Sequence, residues 1–519
     1  MFVRSLQTRR EWNGVMQLID WQSFVAGMQL VVTWEMLLLS VLGVFIGVIL
    51  GLIPGLSATV GIALMLPMSY TMDLLSVLVL MLGIYTGGLY GGGISATLIN
   101  TPGTAGAAFT AIEGYPLNRQ GKGLRALLLG LISSFTGGLI SIVLLLVSLD
   151  WISKVVLKFG SPELFMVAFF SLALIATLRT DGLGKTFLAG SAGIILGNIG
   201  VTTTGYAAGT FGQVYLLDGI PLVPALIGLF AFPEIFSLIG KKFIAPDVDI
   251  RKLMRQNLLR EIGSAFRAVM MKPILVIRSA LIGWFIGVVP AAGASVASAL
   301  AYGEAKRSSK QPEKFGKGSE EGLIAAETAN NATEGGSLVT LFCLGIPGSA
   351  ATAMMLAALT LQGVNAGPRM LRDYRDMIYG IVGIEAIQMF LLLLIGMVVV
   401  YFCFRLVAVP ANIIGPCLAV VCIVGAFAER FTLFDVYVML IMGILGYLLK
   451  KFDYPVIAVV MGLFLGEMLN TELIRVAQIY AYDFTVFFKR PISLALIILT
   501  VLAVFRAIYK DRKLRKAGR

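Results

Sequence analysis

The chain has 519 residues, 58% of them apolar and 13% charged. Soluble domains run at about 45–50% apolar and about 25% charged, so the solvent for most of this chain is lipid. His is absent, which excludes imidazole bases, Ser-His-Asp triads and His metal sites, and the net charge of +12 comes from bases set between apolar segments, where they read as topology signals and not as a nucleic-acid surface.

Continuous apolar runs such as residues 124–149 exclude a transmembrane β-barrel, whose strands alternate. At about 20 residues per span, the chain has room for about ten to twelve transmembrane helices. The predicted fold class is therefore an all-α polytopic membrane protein. Residues 1–33 form a polar, interfacial N-terminal segment with Arg4, Arg9 and Arg10, and with Trp21 close to its end. They lack the pattern of a cleaved signal peptide. A first transmembrane unit covers 34–240, with apolar segments at about 35–53, 74–90, 94–112, 124–149, 161–178, 186–200 and 220–240. Residues 241–272 are basic and read as a cytoplasmic linker. A second unit covers 273–474, and 475–519 supply one further helix and a basic tail.

The two units repeat. Residues 46–64 and 282–300 align without a gap and are identical at eight of nineteen positions, among them Gly47/Gly283, Gly51/Gly287 and Pro54/Pro290. Tyr90-Gly-Gly-Gly…Asn100-Thr-Pro-Gly matches Glu334-Gly-Gly-Ser…Gly345-Ile-Pro-Gly, and Gly228-Leu-Phe matches Gly462-Leu-Phe, each with an acid nearby, Glu234 and Glu467. Linker and tail both read as cytoplasmic, so the single segment at 491–508 puts residue 474 outside. The second copy then crosses an odd number of times, and the copies are inverted, as in many secondary transporters.

Pro and Gly interrupt apolar segments at matching places: Pro54-Gly55, Pro102-Gly103, Pro290 and Pro347-Gly348. A Pro inside a helix removes a hydrogen bond, and in lipid the freed groups need partners. Paired breaks of this kind point to a transport site, with half-helix N-termini suited to an anion and unwound carbonyls to a cation. The candidate substrate-binding residues are Ser57, Thr59, Asn100, Thr101, Gly103 and Thr104 in the first copy. Ser295, Asn330, Asn331, Gly348 and Ser349 are their counterparts in the second. Hydroxyls and amides at these positions can bind carboxylate oxygens or Na⁺. Candidates for ion coupling are Asn100, Asn331, Thr333, Glu327 and Glu334. Glu327, Asn331 and Glu334 share one face of a helix. Glu385 and Gln388 share a face of a long apolar helix and read as packing or inter-subunit contacts. No cofactor is expected beyond Na⁺ or H⁺ as coupling ion. The four cysteines lie in apolar stretches without CxxC spacing and read as buried thiols, not as a zinc site. Asp181-Gly-Leu-Gly-Lys185-Thr186 ends like a Walker A loop, but Arg179 stands where its first Gly belongs.

Gly51-Leu-Ile-Pro-Gly55, Tyr90-Gly-Gly-Gly-Ile-Ser-Ala…Asn100-Thr-Pro-Gly-Thr104 and Glu113-Gly-Tyr-Pro116 resemble the first half of the large membrane subunit of tripartite tricarboxylate transporters. Glu313-Lys-Phe-Gly-Lys-Gly318, Ala329-Asn-Asn-Ala332 and Leu344-Gly-Ile-Pro-Gly-Ser349 resemble its second half. The resemblance runs from about residue 34 to 475. The chain departs from the family pattern at Ser57-Ala58, Ala291 and Ala326, near the expected ligand. The resemblance implies a multi-pass protein of the bacterial inner membrane that imports an organic di- or tricarboxylate by Na⁺ or H⁺ symport. Its partners would be a small four-helix membrane subunit and a periplasmic solute-binding protein. A permease driven by a separate ATPase is the alternative.

Overall fold

A computed structural model of the chain describes residues 19–53, 56–178, 183–202, 204–238, 258–406, 411–428 and 430–516. Pro54-Gly55, the Asp181-Gly pair, Arg179, residues 241–257 of the linker, Arg4, Arg9 and Arg10 lie outside the described residues. The described chain is helical apart from a two-stranded hairpin, Gly200–Val201 with Ala207–Ala208. In order, the helices are α1 (Trp21–Val31), α2 (Trp34–Leu52), α3 (Ala58–Met65), α4 (Leu74–Ile99), α5 (Ala108–Leu117), α6 (Gly123–Val156), α7 (Ser161–Leu178), α8 (Leu183–Gly197), α9 (Leu222–Leu226), α10 (Phe232–Leu238) and α11 (Leu258–Met270). There follow α12 (Pro273–Val288), α13 (Gly293–Ser308), α14 (Glu320–Val339), α15 (Ala350–Leu361), α16 (Pro368–Asp373), α17 (Arg375–Leu406), α18 (Ala411–Ala428), α19 (Leu433–Lys451), α20 (Val456–Ile479), α21 (Val486–Lys489) and α22 (Pro491–Lys516). Six are long and apolar enough to cross a membrane, seven if the pair α11–α12, bent by 76°, counts as one; shorter apolar helices accompany them. This is an all-α, polytopic membrane protein.

The linker ends in structure. α11 packs on α6, where the Arg125 guanidinium donates to Ser264 Oγ (2.6 Å) and pairs with Glu261 (3.8 Å) and Glu320 (2.5 Å). Of the described cysteines, Cys343 and Cys422 are buried and Cys417 is exposed on α18, so that thiol differs from the buried expectation.

α4 and α14 form the centre of the molecule. α4 runs unbroken through Tyr90-Gly-Gly-Gly93, where the sequence shows two apolar segments. The glycines explain the continuity, because they admit neighbours and do not end the helix. A Cβ on Gly88 would touch Ala58 of α3, and one on Gly92 would strike Thr104. Both helices are almost wholly buried. As α4 numbers fall, α14 numbers rise: Gly93 lies on Glu327, Leu89 accepts from Asn330, and Thr86 donates to Glu334. The two helices therefore cross antiparallel.

The same seam is built twice. A Cβ at Gly47 of α2 would strike the Ile84 carbonyl, and one at Gly51 the Gly88 carbonyl. In the second unit Gly283 and Gly287 of α12 meet the carbonyls of Ala329 and Thr333 in the same way. Each of these partners lies 245 residues beyond its counterpart (84 and 329, 88 and 333). The aligned sequence copies thus pack alike.

Glu113 ties the units together near the end of α4. Its carboxylate accepts from the backbone N–H of Gly316 (2.6 Å), Gly318 (2.8 Å) and Ser319 (2.6 Å), and from the Tyr302 hydroxyl (2.7 Å). Hydrogen bonds to a buried charged acceptor contribute about 1.5–3 kcal/mol each. Glu113→Gln turns one acceptor into a donor facing N–H groups. We expect the 309–319 loop to loosen, seen as faster trypsin cleavage at Lys314 and Lys317; cleavage at the wild-type rate would show that the clasp is dispensable.

Candidate functional site

Both Pro-Gly breaks fold back toward the α4–α14 crossing. α4 ends at Asn100 in the left-handed conformation (φ 54°), and the second break begins at Gly345 in the same conformation (φ 68°). After each, the chain returns along its own helix. The Gly103 N–H donates to the Gly92 carbonyl (3.2 Å). A Cβ on Gly103 would strike the Gly51 carbonyl and approach Gly92, and one on Gly348 would lie 2.6 Å from the Gly287 carbonyl and 2.7 Å from Ser337 Cα. Backbone therefore occupies the space beside both glycines. Gly103→Val and Gly348→Val should each prevent docking of the break and abolish uptake. Normal uptake by either variant would contradict this packing.

The breaks flank the crossing. Ser349, N-cap of α15 in a capping box with Thr352, accepts from the Tyr85 hydroxyl at 3.1 Å. Thr104 lies at Gly92, seven residues along α4 from Tyr85 (92 − 85), or about 10 Å at 1.5 Å per residue. Each break packs against the first half-helix of the other unit: α15 on α3, and the turn Ala105–Ala107 on α13. A Cβ on Gly106 would meet Ala294, beside Ser295, and the Asn330 side-chain oxygen. The first half-helices follow the same logic, and Ser57 and Thr59 are half-buried at the start of α3. The N-termini of α3, α13 and α15 thus all gather at the crossing, where their free N–H groups and dipoles favour an anion.

Asn330, Asn331, Thr333, Glu327 and Glu334 are all fully buried on α14. The Asn330 side-chain N–H donates to the Leu89 carbonyl (3.1 Å), and the Thr333 hydroxyl to the Asn330 carbonyl (2.6 Å). Glu327 accepts from the Thr110 hydroxyl and from Ser134 (3.0 Å), in a tightly packed surround that Tyr90, Thr97 and Leu127 also line. Glu334 accepts from Thr86 at 2.7 Å. Several buried polar atoms have no hydrogen-bond partner: both amide atoms of Asn331, the Asn330 side-chain oxygen, the Thr104 and Ser337 hydroxyls, and Oε2 of Glu334. Such atoms cost about 1–3 kcal/mol each when left unpaired, and these six lie on α14 or against α4 at the crossing.

Asn100 and Thr101 lie elsewhere. Both are exposed at the end of α4, and the Thr101 hydroxyl donates back to the Ile99 carbonyl (3.2 Å). Asn100 is eight residues beyond Gly92, or about 12 Å along the axis. Its left-handed backbone, which Asn tolerates, accounts for the residue type. Residues that sequence reasoning missed are Tyr85 and Thr86, Thr110 and Ser134, and Ser337. Their signal was a polar group amid an apolar or glycine-rich run.

A family model for the tripartite tricarboxylate transporter TctA family matches residues 37–461. The chain belongs to that family. It is thus a membrane component with a role in transport, and the matched span takes in both breaks and the crossing. An uncharacterized 52.8 kDa protein in the TAR-I ttuC' 3' region of Agrobacterium vitis is 32% identical over 467 residues, 90% of this chain and 92% of that protein. An uncharacterized protein in the TAR-II ttuC' 3' region of the same species is 31% identical over 226 residues, 44% of this chain and 93% of that protein. No solved structure matches the chain.

Proposed function

We propose that this chain is the permease subunit of a binding-protein-dependent secondary transporter in the bacterial inner membrane, importing an organic di- or tricarboxylate by Na⁺ or H⁺ symport. The main support is the set of unpartnered buried polar atoms at the α4–α14 crossing, around Asn331. Helix N-termini there suit the anion, and the amide and hydroxyl oxygens of Asn330, Asn331 and Thr104 suit a cation. The antiparallel run of equivalent helices supports two inverted units, because an axis in the membrane plane reverses one copy against the other. A small four-helix membrane subunit and a periplasmic solute-binding protein complete the transporter in this reading.

Vesicles containing the three components, given a carboxylate panel with citrate and succinate, test the proposal. Accumulation under an imposed Na⁺ or H⁺ gradient without ATP is expected; accumulation only with ATP and a separate ATPase would overturn it. Orientation has its own test. The basic linker should face the cytoplasm, so a cysteine at position 256 in a Cys-free background should resist an impermeant reagent applied outside spheroplasts. Labelling from outside would reverse the topology.

A further inference from the structure

The end of the molecule that carries the linker is built around a bend. α11 meets α12 at 76°. α11 turns Ala265 and Val269 inward and leaves Phe266 and Met270 exposed, and at the bend Met271 and Ile274 are 68% and 79% exposed. Bare apolar side chains where a spanning helix begins, beside a helix that turns away across the end of the bundle, place the bend at the membrane boundary. Lys272, between them, pairs with Glu321 of α14 (2.6 Å), whose other oxygen accepts from the Ser309 hydroxyl (2.6 Å). Arg278, six residues along α12 from Lys272, reaches back to Glu304 (3.2 Å) and Ser308 (2.5 Å) of α13. The loop 309–319 is thus held at the level of the lipid headgroups.

The acids at this end are engaged within the protein. Glu113 binds backbone N–H groups of the loop, Glu261 and Glu320 pair with Arg125, Glu321 with Lys272, and Glu304 with Arg278 and Arg307. Many of the bases are not. Lys310, Lys314 and Lys317 of the loop, Lys306 in the last turn of α13, and Arg119 and Lys122 in the turn before α6 are all exposed, and none has an acid partner among the described residues. The Gln120 side-chain N–H donates to the Lys317 carbonyl (2.8 Å), which joins that turn to the loop. Only Glu313, also exposed, offsets the six among the described residues of the loop and the turn.

We propose that this surface binds the headgroup of an anionic phospholipid in the leaflet on the linker's side. A lysine ammonium is a compact point charge suited to a phosphate oxygen, and clusters of about four to eight Lys and Arg beside a span attract anionic lipid. The bare apolar side chains at the bend give the acyl chains a contact that a soluble anion would not use. The Glu113 clasp holds the loop backbone in place, so little ordering is needed when the lipid arrives. Such binding depends on neither the transported anion nor the coupling ion.

Scintillation proximity with tritiated phosphatidylglycerol or phosphatidylcholine, on the purified full chain immobilised in detergent, tests the site. Phosphatidylglycerol is expected to bind in preference to phosphatidylcholine. Its affinity is expected to fall about 5-fold in Lys314→Gln and about 100-fold when Lys310, Lys314 and Lys317 are all changed to Gln. The same number of charges removed elsewhere, by Lys154→Gln, Lys158→Gln and Lys451→Gln together, is expected to leave binding unchanged. If the triple loop variant does not fold, judged by size-exclusion elution, Lys314→Gln carries the test. Unchanged phosphatidylglycerol binding in the folded loop variants overturns the site, as does an equal loss in the control or equal binding of phosphatidylcholine. Displacement by inorganic phosphate but not by NaCl at matched ionic strength assigns the surface to a soluble anion and overturns the lipid.

Discussion

Asn331→Ala should abolish uptake while leaving thermal stability unchanged or raised. Asn331 is fully buried and neither of its amide atoms has a partner. A packing amide with satisfied bonds would cost stability when removed. An unsatisfied one burdens the fold by about 1–3 kcal/mol, and its loss offsets the small cavity left by an Asn-to-Ala change. A hydrogen bond to a charged ligand contributes about 1.5–3 kcal/mol, which corresponds to a loss of affinity of about 10- to 100-fold. Vesicle uptake and a melting curve on the same preparation decide the matter. Wild-type uptake, or a large drop in melting temperature with uptake retained, would make Asn331 a structural residue. Asn100→Gly is the control: the residue is exposed, and Gly also accepts its left-handed backbone, so uptake should stay near normal.

Glu327→Ala should give the largest loss of stability. The carboxyl joins three helices, taking hydrogen bonds from Thr110 of α5 and Ser134 of α6 while lying on Gly93 of α4. Removing it strands two buried hydroxyls and opens a cavity where the carboxyl now lies on Gly93. Cavity formation and the loss of buried partners together predict about 3–5 kcal/mol. Glu327→Gln keeps an acceptor and most of the volume, so it should fold. Fluorescence-detected size exclusion after a heating series would show the contrast. An Ala variant as heat-resistant as the wild type would mean that the three-helix junction does not need this group.

Much of the frame could be read before any coordinates. Apolar runs announced helices, and Gly47, Gly51, Gly283 and Gly287 announced a repeated seam, because small residues let backbones approach. The Asn330-Asn331 pair stood out as costly amides in an apolar setting. Other features depended on long-range geometry. Tyr90-Gly-Gly-Gly93 looks like an interruption in one dimension, yet its glycines are where α2, the Thr104 break and Glu327 of α14 press against α4. Asn100 looks like a ligand because it adjoins Pro102, yet its backbone φ explains it and the break returns to the centre only at Gly103 and Thr104. The pairing of each break with the half-helix of the other unit is likewise a property of how two copies interlock.

The central claim is that the α4–α14 crossing is where substrate binds, and a ligand-bound map tests it most directly. Electron cryomicroscopy of the purified transporter should be done with and without citrate or succinate, whichever the vesicles accumulate. The account predicts added density at the crossing, within hydrogen-bond reach of the Asn331 amide and the Thr104 hydroxyl, and its absence in the Asn331→Ala protein. Density at the exposed Asn100–Thr101 end of α4 alone, with the crossing as tightly packed as without ligand, would contradict it.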